Sequence, residues 1–280
     1  MVQKAGMIIE PTTIIKPSPK ISFPDLRELW AYRELLFTFV MRDLKVRYRQ
    51  TVIGGLWAIL QPFTTMIIFS FFFGRIAKIP SEGVPYPIFS YAGLVLWTYF
   101  SNALSSASSS IVGSSGLYTK VYFPRLIAPI SSAITGLVDY AVAMIIVFGL
   151  MVVYRVVPQA SLFLLPLAIL PAMFLALGMA FWIGSINVKY RDVSYIMPFF
   201  ISLMLYMTPV IYPVSIAPNF KNLLALNPMT GVIEAHRAMI LGHTTINYAS
   251  LGISYLVTIV ILTTGAIYFR SVERKFADIV

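Results

Sequence analysis

Few residues of this chain could carry out acid–base or metal chemistry. Its 280 residues include no Cys and two His, and Asp and Glu together number 11. His236 and His243 lie seven positions apart and could share a helix face with Glu234, but these three candidate ligands form no recognised metal motif. The sequence therefore predicts no metal site. The lack of Cys excludes disulfides, iron–sulfur clusters and thiol nucleophiles.

The acidic residues could have a structural or a catalytic role. Asp139 interrupts a long apolar stretch, where a carboxylate is costly unless it faces a cavity or a partner. We interpret it as a structural hydrogen-bonding residue, with a proton relay as the alternative. Glu234, His236 and Arg237 could supply an acid and a base to a membrane-embedded transferase, but no catalytic residue is assigned. No Gly-Lys dipeptide occurs, so the chain has no P-loop and is expected to bind no cofactor and hydrolyse no ATP alone.

The composition is that of a membrane protein. Hydrophobic residues make up 58% of the chain, charged residues only 11%, and the mean hydropathy is +0.81. A globular domain carries roughly a quarter charged residues, so this chain lacks the charge that a water-facing surface needs. The long uncharged runs predict an all-α membrane protein.

The elements that position these residues follow from the apolar runs. We predict a flexible cytoplasmic tail over residues 1–22 and an amphipathic interface helix over 23–50, which begins at a capping box at 22–25. The transmembrane domain, residues 51–270, is predicted to have six spans, since each needs ~20 apolar residues. The serine-rich residues 105–115 are expected to leave the bilayer. Residues 213–246 are predicted to form re-entrant helices on the outer side, and 271–280 a cytoplasmic tail. The spans are 51–74, 86–104, 126–154, 161–186, 193–212 and 247–269.

The distribution of basic residues predicts the orientation. Of the 21 Lys and Arg residues, all but five fall on the side of the two termini. Because cytoplasmic segments carry the excess of Lys and Arg, both termini are predicted to be cytoplasmic. The net charge of +10 is thus a topology signal, and no nucleic-acid partner is expected. The five on the other side are Arg75, Lys78, Arg155, Lys221 and Arg237.

Three stretches resemble the permease subunits of ABC-2 type polysaccharide exporters, the family of O-antigen, teichoic-acid and capsule transporters. Residues 43–62 (DLKVRYRQTVIGGLWAILQP) resemble the start of that family's first span. Residues 187–192 (NVKYRD) through 207–213 (MTPVIYP) are similar to its fourth-to-fifth-span loop and fifth helix. Residues 226–237 (LNPMTGVIEAHR) are similar to its outer re-entrant segment. The resemblance covers nearly the whole chain after Phe23 and is greatest to the O-antigen type.

This resemblance implies a homodimer in the bacterial cytoplasmic membrane, working with two copies of a separate cytoplasmic ATPase that binds ATP and Mg²⁺. It also implies that polysaccharide on an undecaprenyl-type lipid leaves through a channel at the dimer centre. Two alternatives stay open at this point. One is a membrane-bound glycosyl- or acyltransferase of cell-envelope synthesis, and the other is an ABC-2 exporter of lipids or drugs.

The resemblance also implies which loops couple ATP hydrolysis to export. The loop at 113–123 is expected to dock as a short helix into the ATPase, with the interface helix beside it, and the loop at 187–192 is a second contact. A plain solvated turn is the alternative for either loop. The predicted coupling residues are Gly116, Leu117, Tyr118, Lys120, Phe123, Arg125, Lys189 and Arg191.

Two helical faces are predicted to line the channel. Each carries aromatic and polar residues at intervals of three and four, which places them on one side of a helix. Aromatic rings stack on the C–H faces of sugars, and a weak, register-free contact lets a polymer slide. Ordinary packing between helices is the alternative, since 14% of the chain is aromatic. The residues are Trp57, Gln61, Thr64, Ile68 and Phe72 on the first span, and Tyr195, Phe199, Ser202 and Tyr206 on the fifth.

Overall fold

A computed structural model describes residues 26–49, 56–114, 116, 122–216 and 218–273. These residues form ten α-helices and contain no strand, so the all-α prediction is confirmed for this part of the chain. The helices are α1 (Leu26–Ala31), α2 (Arg33–Arg49), α3 (Trp57–Phe69), α4 (Tyr86–Gly113), α5 (Ile127–Val153), α6 (Pro166–Lys189), α7 (Val193–Met207), α8 (Lys221–Leu226), α9 (Pro228–Leu241) and α10 (Tyr248–Glu273).

The expected interface helix consists of two helices, α1 and α2, separated at Tyr32. The interruption is small, because the Tyr32 amide still donates to the Glu28 carbonyl oxygen at 3.2 Å. Helix α2 packs along α5, and its one buried side chain, Phe39, lies in a small apolar cluster with Phe123 and Ile127. The predicted capping box lies outside the described residues.

Helix α3 continues into a π-helix at Ser70–Ile76. The wider turn shows in the Ala77 amide, which donates to the Phe72 carbonyl oxygen five residues earlier at 2.9 Å. The π-helix passes close to α4 at Gly74, where a Cβ atom would lie 2.9 Å from the ring of Tyr86. Only glycine allows this approach without a shift of the ring.

Helix α4 is the centre of the core. Its 28 residues run through Gly113, whereas the second span is predicted to end at residue 104. The helix continues because its serine hydroxyls are satisfied within it: Ser109 donates to the Ser105 carbonyl oxygen at 2.9 Å, and Ser110 to that of Ala107 at 2.8 Å. The other face stays buried through Ile111.

Helices α6 and α10 cross at two glycines. A Cβ atom on Gly178 would lie 2.7 Å from the Leu262 Cα atom, and one on Gly265 would lie 2.4 Å from the Gly178 carbonyl oxygen. Small residues let helix backbones approach closely, which is how helices commonly associate in membranes. The two glycines therefore fix the closest contact between these helices.

Helix α7 ends at Met207, five residues before the predicted end of the fifth span. Thr208 is extended, with φ −106° and ψ 138°, as expected of a residue that precedes a proline. The short helices α8 and α9 follow within the segment predicted to be re-entrant. Helix α9 begins at an Asn227 cap that accepts from the Met229 amide, ends at Gly242 in the left-handed region, and is almost wholly buried.

Four of the described helical segments are long and apolar enough to cross a membrane: Trp57–Ile76, Ile127–Val153, Ala160–Lys189 and Tyr248–Glu273. Helix α7 is apolar but shorter, at 15 residues. Helix α4 has sufficient length, and its seven serines lower its hydropathy. Four such segments make this a multi-pass membrane protein.

Candidate functional site

The aromatic face predicted on α7 lies on the surface of the chain. Tyr195 is 84% exposed, and Phe199, Ser202 and Tyr206 are also exposed. The opposite side of the helix carries its one buried residue, Met197. The four predicted residues therefore share an uncovered face, and their contact with substrate stays a prediction.

The corresponding residues of the first span are exposed as well. Trp57, Gln61 and Thr64 lie on the uncovered side of α3, while its buried residues are Pro62 and Met66. Ile68 and Phe72 are also exposed, but Phe72 lies in the π-helix. The 3.6-residue period used to place Phe72 does not hold there, because hydrogen bonds run from i to i+5.

An apolar groove of about 750 Å³ lies beyond the end of α7. Its walls include Met207, Tyr212 and Ile79, together with the exposed side chains Phe220 and Leu223. The groove adjoins the end of α7, where the Tyr212 hydroxyl donates to the Tyr206 carbonyl oxygen at 3.1 Å. A hydrophobic surface of this kind is suited to lipid or to another protein chain.

The end of the predicted coupling loop and the residues that follow it are anchored to the bundle. Phe123 packs edge-on against Phe39, with ring centroids 5.4 Å apart, and Arg125 donates to the carbonyl oxygen of Glu273 at the end of α10. Tyr122 donates to Glu28 at 3.1 Å; this bond to a carboxylate, together with some burial, raises the pKa of the Tyr122 phenol. These contacts join the residues before α5 to α1, α2 and α10 at one end of the bundle.

The remaining predicted coupling residues are either exposed or outside the described residues. Leu117, Tyr118 and Lys120 lie outside the described residues, and Gly116 is helical and exposed. The turn that carries Lys189 and Arg191 is exposed, and it is braced by a hydrogen bond from the Ser194 hydroxyl to the Asn187 side chain at 2.9 Å. The Lys189 ammonium lies 4.9 Å from the ring centroid of Tyr190.

Asp139 is bound by two side chains from the end of α2. Arg47 forms an ion pair with its carboxylate, and the Tyr48 hydroxyl donates to the same group. Burial, followed by the hydrogen bond to this carboxylate, raises the pKa of Tyr48 to about 12. These contacts agree with the structural role inferred for Asp139. Sequence reasoning missed both partners, although an acid in an apolar run calls for a nearby cation.

The residues considered for acid–base chemistry each contact different neighbouring groups. His236 is buried, and its Nε2 atom lies 2.7 Å from the Tyr140 hydroxyl. Arg237 is buried above the Phe89 ring, 3.8 Å from its centroid, and donates to the carbonyl oxygens of Pro209 and Val210. His243 contacts the Leu241 carbonyl oxygen at 2.6 Å. Among the described residues no three His, Asp or Glu side chains group as a metal site would need.

The long apolar helices define an integral membrane protein. A family model described as ABC-2 type transporter matches residues 34–241, and the chain belongs to that family. It is a transport permease and not an enzyme, which sets aside the transferase alternative and confirms the resemblance.

Three relatives illustrate this membership. The chain is 30% identical over 257 residues to the O-antigen export system permease protein RfbA of Myxococcus xanthus, covering 90% of this chain and 98% of the relative. It is 25% identical over 248 residues to a protein of the same name from Klebsiella pneumoniae, covering 88% and 95%. It is 22% identical over 242 residues to the polysialic acid transport protein KpsM of Escherichia coli, covering 84% and 92%.

Proposed function

We propose that this chain is the membrane permease of an ATP-driven exporter that moves lipid-linked polysaccharide, of the O-antigen type, across the bacterial cytoplasmic membrane. The observation that carries the proposal is the match to an O-antigen export permease over 98% of that relative's length. The same match covers 90% of this chain. The carrier lipid would be of the undecaprenyl type.

The proposed assembly is a homodimer with two copies of a cytoplasmic ATPase. Membership of the ABC-2 family supports the ATPase partner. The chain has no P-loop of its own, so the energy must come from a separate subunit. Six spans with both termini in the cytoplasm would place the Tyr122–Arg125 anchor on the side of that subunit.

The exposed faces of α3 and α7 support a channel between two copies. Large aromatic side chains such as Tyr195, Phe199 and Trp57 have no covering partner in the described part of one chain. Facing a second copy across a channel, they would offer rings to the sugar units of a passing polymer. We propose this arrangement for the dimer centre.

The test is export in living cells. In a strain that lacks this permease, the wild-type chain should restore surface polysaccharide together with its ATPase, and should fail with an ATPase whose P-loop lysine is replaced. The purified chain should hydrolyse no ATP alone and should co-purify with the ATPase in equal numbers. Restoration of export without a competent ATPase would contradict the proposal, as would ATP hydrolysis by the chain alone.

A further inference from the structure

The residues that follow α7 are more deeply buried than α7 itself. Helix α7 has one buried side chain, Met197, and its predicted lining face is exposed. Thr208 and Val210 are fully buried, and Ile211 is 3% exposed. The four residues Thr208–Ile211 are called the α7 anchor. The anchor enters the core, whereas most of α7 lies along the surface of the bundle.

Three successive backbone carbonyl oxygens of the α7 anchor accept hydrogen bonds from side chains of other helices. The Arg237 Nη2 atom, on α9, donates to Pro209 at 3.1 Å and to Val210 at 2.9 Å. The Tyr86 hydroxyl, at the start of α4, donates to Ile211 at 2.7 Å. A buried carbonyl without a partner destabilises the state that contains it. The two side chains therefore favour this position of the anchor over any position in which these bonds are broken.

Arg237 is itself held in place by α4. It is 4% exposed, and its guanidinium carbon lies 3.8 Å from the centroid of the Phe89 ring. Gly93, one turn further along α4, leaves the room for it: a Cβ atom there would lie 2.6 Å from Nη2 and 3.2 Å from the Val210 carbonyl oxygen. A buried cation requires compensating contacts of this kind. Through them, α4 and α9 together determine where the α7 anchor lies.

Tyr86 also contacts the first span. A Cβ atom on Gly74, in the π-helix that continues α3, would lie 2.9 Å from the Tyr86 ring. The ring thus packs against the first span, while its hydroxyl binds Ile211 after the fifth. Because the ring and its hydroxyl move as one group, Tyr86 sets the spacing between these ends of the two spans.

We propose that Tyr86 and Arg237 are positioning residues for export, which set the separation of the exposed aromatic faces on α3 and α7. Both side chains are buried, so they act through the two spans and not by touching the polymer. The proposal rests on the proposed function, because this separation matters only if both faces line the channel.

The length of α7 makes the position of its anchor important. The 12 residues from Tyr195 to Met207 span about 18 Å at 1.5 Å per residue. A tilt of about 10° at the anchor would therefore move Tyr195 by about 3 Å. A gap of about 1 Å already removes up to half of a van der Waals contact. A small displacement of the anchor would thus separate the rings of α7 from a sugar face.

The first measurement is the distance between the two faces. The chain has no Cys, so a variant with Ile67→Cys on α3 and Leu203→Cys on α7 can be spin-labelled at these two exposed positions alone. Neither position is a predicted lining residue. The labelled chain is diluted with unlabelled chain in lipid nanodiscs, so that electron–electron distances within one chain are recorded. The labelled chain without further changes should give one narrow distance distribution.

Changes at the two positioning residues should broaden this distribution. Tyr86→Phe removes the hydroxyl and keeps the ring, so it should raise the population of displaced α7 on the order of fivefold, the value of one neutral hydrogen bond. Arg237→Met removes two bonds and should broaden the distribution further. Arg237→Lys should restore much of the narrow distribution, because one ammonium nitrogen can replace Nη2 in both bonds. In cells, Tyr86→Phe and Arg237→Met should reduce surface polysaccharide severalfold per inserted permease molecule and leave ATPase binding intact.

Tyr99→Phe is the matched control. Tyr99 is on the same helix, is 3% exposed and donates to a backbone carbonyl oxygen, that of Ala133 on α5 at 3.3 Å. Its replacement should leave the distance distribution and the export per inserted molecule unchanged, even where it lowers the melting temperature.

Three results would overturn the proposal: an unchanged distribution in Tyr86→Phe, equal broadening in Tyr99→Phe, or normal export from a variant whose distribution is broadened. If Arg237→Met does not insert, Tyr86→Phe alone decides. The distances test the α7 anchor without any export, and restoration of export by the wild-type chain tests the proposed function separately. Either can therefore fail alone.

Discussion

Replacement of Asp139 by Asn should destabilise the permease by about 2 kcal/mol. The side chains of Asp139 and Arg47 are 16% and 34% exposed, so the ion pair is partly shielded from water. A hydrogen bond to a charged group contributes roughly 1.5–3 kcal/mol, and the exposure of Arg47 moves this pair toward the lower end. The Asn side chain keeps the shape and a bond to Tyr48, so the change isolates the charge.

The assay compares apparent melting temperatures of purified variants in one detergent and at one scan rate. At roughly 2–4 °C per kcal/mol for a chain of this size, Asp139→Asn should lower the melting temperature by about 4–8 °C. Asp43→Asn is the matched control, because Asp43 forms an ion pair with Arg42 at 2.8 Å nearer the surface. The side chain of Arg42 is 44% exposed and that of Asp43 is 24% exposed. An exposed pair contributes less than about 1 kcal/mol, so this variant should lower the melting temperature by under about 4 °C.

A second substitution tests the reason for the effect. If the loss comes from the charge pair, then Arg47→Gln added to Asp139→Asn should lower stability by less than the sum of the two single changes. Equal melting temperatures for Asp139→Asn and Asp43→Asn would refute the reasoning, and so would strict additivity of the double variant. Either result would mean that the charge pair contributes nothing to holding α2 against α5.

Two further predictions concern packing and the channel. Gly178→Ala should destabilise the protein by about 1–3 kcal/mol, because the new Cβ atom would meet the Leu262 backbone. Gly252→Ala is the control: a Cβ atom there would have no neighbouring atom within 4 Å, so this change should be neutral or stabilise the protein by up to about 1 kcal/mol. Equal thermal shifts for these two variants would contradict the packing argument. Tyr195→Ala, combined with alanine at Phe199 and Tyr206, should leave membrane insertion and ATPase binding intact and reduce surface polysaccharide at least tenfold; normal export would rule out the lining.

Local sequence patterns determined most of the helices and missed some of their ends. The third span was predicted at 126–154, and α5 is Ile127–Val153. Helix α4 continues nine residues past the predicted end of the second span at residue 104, because serines lower hydropathy while pairing with their own backbone. Helix α7 ends at Met207, five residues before the predicted end of the fifth span, because Thr208 precedes Pro209; the proline rule could have placed this helix end.

The candidate site was only partly accessible from sequence. Helical periodicity placed Tyr195, Phe199 and Tyr206 on one face, because that depends only on spacing along one helix. The same reasoning could not show that Arg125 binds the Glu273 carbonyl oxygen, since these residues are 148 positions apart.

The sequence by itself determined that the chain is helical, membrane-embedded, without a P-loop motif and of the ABC-2 family. These properties are sums over neighbouring residues or short motifs, so one sequence contains them. Only the tertiary structure decided that Asp139 pairs with Arg47, that Gly178 meets Leu262 and that Arg237 lies over Phe89. Each of these contacts joins residues far apart in the chain and stabilises the protein only after the helices have packed. The apolar patterns that drive this packing do not specify which side chains meet.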